Sequence, residues 1–147
     1  MTREEATQQI LEAKRRLGLT FEAIAHEVGR YKEWTTAALL GQATMSAEEA
    51  ERATTVLELG PDVAQALQEY PTKGSLSQTV PVDPLLYRFH EITQVYGTTL
   101  KALIHEMFGD GIMSAIDFEF SVEKIEDPHG DRVKITYNGK FLPYRKW

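Results

Sequence analysis

Apolar side chains recur every three or four positions through the first half of the chain, the pattern of helices with one face turned inward. Ala6, Ile10, Ala13 and Leu17 keep that spacing and stop at Gly18. Thr2 and Glu5 form a capping-box pair ahead of them: the hydroxyl accepts an early backbone N–H, and the carboxylate returns the bond. After Thr20 a second period carries Phe21, Ile24, Ala25 and Val28 to Gly29, and a third carries Trp34, Ala37, Ala38, Leu39 and Leu40 to Gly41. Ser46 and Glu49 make another capping box, opening a fourth helix through Ala50, Ala53, Val56 and Leu57. Gly60-Pro61 closes it, and a short fifth runs through Val63, Ala64 and Leu67. Residues 1–74 therefore predict a bundle of five short helices.

Between Pro71 and Pro84 the periodicity fades and three prolines appear, so residues 75–84 read as a linker. Residues 85–147 predict a second domain. Asp83-Pro84 combines an N-cap with a proline suited to the first helical position, and Leu85, Leu86, Tyr87, Phe89, Ile92 and Val95 follow as far as Gly97. Thr98 then opens another helix with Leu100, Leu103, Ile104, Met107 and Phe108, ending at Gly109-Asp110-Gly111. Beyond it the period changes to two. Ile116, Phe118, Phe120 and Val122 alternate with Asp117, Glu119 and Ser121, and Val133, Ile135 and Tyr137 alternate with Lys134 and Thr136. The segment Asp127-Pro128-His129-Gly130-Asp131 predicts the turn between them, and Asn138-Gly139 predicts a further hairpin leading to Phe141-Leu142-Pro143. The class is α+β. Two helices and a ribbon leave little core within one chain, and a lone ribbon is marginal in water, so the second domain is expected to form an intertwined dimer.

Composition narrows the function. Hydrophobic residues are 42% and charged residues 26% of the 147, a soluble globular balance, and no apolar run is long enough to span a bilayer. With a polar, acidic N-terminus and no cysteine, a cytoplasmic protein without disulfides or thiolate chemistry is expected. The second and third helices, joined at Gly29 and Arg30, resemble a repressor-type helix-turn-helix, so a DNA-binding regulator is the alternative reading. Its reading surface would be Lys32, Glu33, Thr35 and Thr36, with Arg30 and Tyr31 before them. The net charge is −6, shared as −4 before and −2 after the Gly74 boundary. Affinity for duplex DNA rests heavily on neutralising phosphates, and this balance argues against a nucleic-acid partner.

Candidate chemistry lies in the second domain. Arg88 and Glu91 stand three apart on one helix face amid Tyr87 and Phe89, and a glycine-framed loop carries Ser114 shortly afterwards. A surface ion pair is the plain alternative for Arg88 and Glu91. His26, His90, His105 and His129 show no metal-ligand spacing, and no P-loop, dinucleotide fingerprint or nucleophile elbow is present. These residues point to an anion site with no metal and no cofactor, and leave the reaction open.

The run Asp83-Pro84-Leu85-Leu86-Tyr87-Arg88-Phe89-His90-Glu91, the segment 94–106, the stretch Phe108-Gly109-Asp110-Gly111-Ile112-Met113-Ser114-Ala115-Ile116-Asp117-Phe118 and the closing Asn138-Gly139-Lys140-Phe141-Leu142-Pro143 resemble the signature of the cyanase family. His90 and Asp117 depart from that family's usual tyrosine and asparagine. The resemblance implies Arg88, Glu91 and Ser114 as the catalytic positions. It implies cyanate and bicarbonate as substrates, carbamate and carbon dioxide as first products, and then ammonia and a second carbon dioxide. It further implies no metal or cofactor, bicarbonate acting as a co-substrate, and a decamer of five dimers with sites between subunits. The helix-turn-helix-like half would then serve assembly.

Overall fold

The hydroxyl-bearing helix starts are capped as their sequences require. Thr2 and Ser46 each accept a backbone N–H from the residue three ahead, Glu5 and Glu49, and those carboxylates bond back to the cap N–H groups. Thr20 accepts from the Ala23 N–H. The helices they open are α1 (Arg3–Arg16), α2 (Phe21–Val28) and α4 (Ala47–Leu57), joined in the bundle by α3 (Lys32–Leu39) and α5 (Pro61–Gln68). The structure, a computed structural model, describes residues 1–74 and 79–147, and the chain divides into two units, Met1–Ser75 and Leu76–Trp147.

In the first unit the predicted apolar stripes meet. Ile10, Ile24, Leu39, Leu57, Val63 and Leu67 are fully enclosed, with small alanines between them that let the short helices approach. Two charged groups tie the bundle together. Arg3 donates to the carbonyls of Ala66 (2.9 Å), Ala38 (3.1 Å) and Ala43 (2.7 Å), so one cation serves carbonyls near the C-termini of α3 and α5, where positive charge is favoured. Arg30, in the turn between α2 and α3, donates to Glu49 at 2.5 Å. Burial pushes the Glu49 carboxyl up, but the Ser46 N–H and the Arg30 guanidinium outweigh it and hold its pKa below the ordinary value.

The second unit begins with α6 (Pro84–Phe108), capped by the Asp83 carboxylate on the N–H groups of Leu85 and Leu86. It is one helix, where the sequence reading expected two divided at Gly97. A glycine ends a helix when it turns left-handed, and Gly97 keeps an ordinary negative φ. Holding it in mid-helix costs about 1 kcal/mol. A break would instead orphan up to four carbonyls and four N–H groups. Residues 75–78 of the expected linker lie outside the described residues; residues 79–83 form neither helix nor strand.

Two antiparallel strands follow, β1 (Gly111–Ile125) and β2 (Arg132–Pro143). They are joined by the expected turn, where Gly130 donates to the Asp127 carbonyl at 3.0 Å. The pairing runs from Ile125 opposite Arg132 to Phe118 opposite Gly139, lapses, and resumes from Met113 opposite Phe141 to Gly111 opposite Pro143. Four residues of β1 thus face Lys140 alone, a large bulge. Two sequence expectations change here. Asn138-Gly139 is no hairpin turn; it lies inside β2, opposite Glu119 and Phe118, because the chain reverses once at 127–131 and β2 then has all of β1 to pair with. Ser114 is not in a loop before the strand but inside β1, within the bulge.

Candidate active site

Arg88 and Glu91 project from the same side of α6 and form a direct ion pair through Nη1 and Oε1. Their side chains are 63% and 39% exposed, so the pair adds little to stability. The guanidinium keeps most of its five N–H donors for other acceptors. Tyr87 and His90 flank the pair, their rings tilted and 6.1 Å apart.

Ser114 differs in every respect. It is 4% exposed, and its Oγ accepts the N–H of Ile116 at 3.0 Å and of Asp117 at 2.9 Å. Both donors belong to the bulge, where the ladder offers them no partner; a nearby hydroxyl meets that need. The structure therefore brings Arg88 and Glu91 together. Among the described residues no hydrogen bond links either of them to Ser114.

The helix end and the ribbon are fastened beside the bulge. Phe108 stacks on Phe141 at 4.9 Å between centroids, and the Tyr144 N–H donates to the Asp110 carbonyl at 3.1 Å. Gly139, which the sequence reading assigned to a turn, faces the bulge: a Cβ there would stand 2.6 Å from the Ser114 carbonyl oxygen. The signal that could have placed it is strand length, since β1 needs a partner that continues past Asn138.

A recess of about 420 Å³ on the first unit is walled by Glu27, Glu48 and Glu51, and its Arg52 is already paired with Glu48. The helix-turn-helix-like surface is also altered. Thr35 is completely buried, and Arg30 pairs with Glu49 while lying 5.8 Å over the Trp34 ring. Thr35, one of the groups offered for DNA contact, is thus withdrawn from the surface. Among the described residues no set of three histidines or carboxylates is placed to hold a metal, and no helix is long and apolar enough to cross a membrane.

These features define an α+β chain that joins a helical bundle to a helix-and-ribbon unit carrying the exposed Arg88–Glu91 ion pair and the buried Ser114. Residues 3–71 match the family described as cyanate hydratase, N-terminal, and residues 78–146 match the cyanate lyase C-terminal domain. The chain is 54% identical to the cyanate hydratase of Thiobacillus denitrificans over 147 residues, covering 100% of both chains. It is 55% identical to that of a Synechococcus strain over 141 residues, 96% of this chain and 94% of the relative. A crystal structure of cyanase from T. urticae superposes with a TM-score of 0.84 at 40% identity, covering 95% of this chain and 97% of the other. The chain belongs to the cyanate lyase family.

Proposed function

We propose that the protein is a bicarbonate-dependent cyanate lyase. The observation that carries this reading is the 54% identity to a cyanate hydratase over the entire length of both chains. Arg88, Glu91 and Ser114, the positions implied by the resemblance, are side chains suited to two small anions.

Cyanate and bicarbonate repel each other, and bringing them together needs fixed positive charge. Arg88 supplies it with directed N–H donors, and Glu91 holds the guanidinium in place. A bicarbonate oxygen attacks the cyanate carbon, forming a C–O bond. The bond from that oxygen to the bicarbonate carbon then breaks, releasing carbon dioxide and leaving carbamate after uptake of one proton. Carbamate takes a second proton and separates into ammonia and carbon dioxide. Proximity supplies much of the rate, and the Ser114 hydroxyl steadies charge developing on oxygen. Bicarbonate is consumed in this scheme as a co-substrate, and no resident cofactor takes part.

The same reading makes the site a product of assembly. No residue of α6 is buried in the chain, and Leu85, Phe89, Ile92, Tyr96, Leu100, Leu103 and Met107 form an exposed stripe at helical spacing. Another copy covering that stripe would bury it, completing the dimer and the proposed ring of five dimers in a cytoplasmic setting. The test is ammonia release from cyanate by purified protein, with and without bicarbonate. Bicarbonate-dependent ammonia is expected; its absence would end this reading.

A further inference from the structure

Ser114 carries more information than its identity. A hydroxyl offers one O–H donor and two lone pairs. Both lone pairs of the Ser114 oxygen are filled by the Ile116 and Asp117 N–H groups. What remains is the O–H. A group held this way is suited to giving a hydrogen bond to an anionic oxygen or nitrogen, and poorly suited to accepting a proton.

That arrangement exists because the ladder lapses across four residues of β1, and β2 borders the lapse at Gly139. A Cβ at Gly139 would meet the Ser114 carbonyl oxygen and Met113 Cγ, each at 2.6 Å, and Met113 Sδ at 3.2 Å. The Met113 side chain is flexible, but the Ser114 oxygen is backbone and can move only with the bulge. Gly139 is not left-handed, so close approach and not backbone conformation demands a glycine here.

We propose that Gly139 is a positioning residue of the reaction: by letting β2 close on the bulge, it holds Ser114 as a hydrogen-bond donor aimed at an anionic substrate. This rests on the reading of Ser114 as a substrate-contacting group.

The test is a double-mutant cycle on the full-length protein, with Gly139→Ala, Ser114→Ala and the pair together. Bicarbonate-dependent ammonia release gives kcat and KM, and calorimetric titration gives the affinity for azide, a linear anion isoelectronic with cyanate. Gly139→Ala is expected to lower kcat/KM by about ten- to a hundred-fold, the effect of losing one donor to developing charge. Its assembly mass should stay that of the parent, and any fall in melting temperature reports the displaced bulge. In the Ser114→Ala background it should add less than about twofold, because a residue acting through Ser114 has nothing left to act on. Where Ser114→Ala leaves no measurable turnover, the azide affinities complete the cycle. Parental kcat/KM in Gly139→Ala overturns the proposal, and so does a loss that multiplies in the double variant.

Should Gly139→Ala fail to fold, Ile116→Pro removes one donor to Ser114 Oγ at a residue outside the strand pairing. It must then lower kcat/KM and azide affinity by a similar factor, and parental values overturn the proposal. The control Thr136→Ala, in the regular part of β2, should behave as the parent. If the parent itself releases no ammonia from cyanate, the functional reading falls and takes this proposal with it. If the parent is active and Gly139→Ala equals it, the positioning role alone falls.

Discussion

The two units bury their apolar residues in opposite ways. The first encloses Ile10, Ile24, Leu39, Leu57, Val63 and Leu67 completely, using short helices, caps and two internal arginine contacts. The second leaves every residue of its 25-residue helix unburied, and among its described residues only Gly111 and Ser114 are buried. One unit is complete as a single chain; the other presents a helix face about 37 Å long that water solvates poorly. The candidate site lies on the incomplete one. A site built on such a surface acquires its walls from whatever covers that surface, so in the proposed enzyme activity is expected to require the assembly.

The contrast is broken most severely by charging the exposed stripe. Leu103→Asp should dissociate the assembly, reducing its mass by light scattering, and take cyanate-dependent activity to background. An unpaired buried charge costs about 3–5 kcal/mol at each copy of the interface. The helical signal of the first unit should survive. An active, full-sized Leu103→Asp protein would show that α6 is not an interface.

Arg88→Ala separates chemistry from assembly. Activity should fall by about a hundred- to a thousand-fold or more, with the assembly mass unchanged, since the exposed Arg88–Glu91 pair contributes little to stability. Full activity would place the anion site elsewhere.

Leu57→Ala asks the converse question of the first unit. Emptying a completely buried site should cost about 2–5 kcal/mol in denaturant unfolding, while kcat of the folded protein stays near the parent value. A selective loss of kcat would mean that the bundle reaches the chemistry.

The smallest effect concerns acid. The Glu49 carboxyl has a lower pKa folded than its ordinary 4.5, so its contribution to stability is fully present above that value. It is lost as pH falls from 4.5 through the lower folded value. Glu49→Gln should flatten this part of the stability profile while leaving the capping box formed. A profile identical to the parent's would remove the Arg30–Glu49 contact from the account.

Much of this was legible because it is local. A capping box places hydroxyl and carboxylate three residues apart, and apolar spacing of three or four states which side of a helix turns inward; Thr2, Ser46 and Asp83 cap where the sequence put them. Arg88 and Glu91 could be read as neighbours for the same reason, being separated by one helical turn. The turn at 127–131 and the α+β class were equally open to inspection.

What the tertiary structure decided is non-local. Gly97 carries the same local signal as the glycines that end α2 and α3, yet the helix runs through it because apolar residues continue along the face beyond. Asn138-Gly139 is a strong turn dipeptide, overruled because β1 supplies strand partners on both sides of it. No spacing rule gives the bulge that buries Ser114 and fills its lone pairs; it follows from the two strands placing unequal numbers of residues between the same paired positions. The sequence by itself determined the five helices of the bundle, the caps at Thr2, Thr20, Ser46 and Asp83, and the residues with useful chemistry. Only the pairing of β1 with β2 decided how Ser114 is held, since a hydrogen-bond register depends on both strands at once.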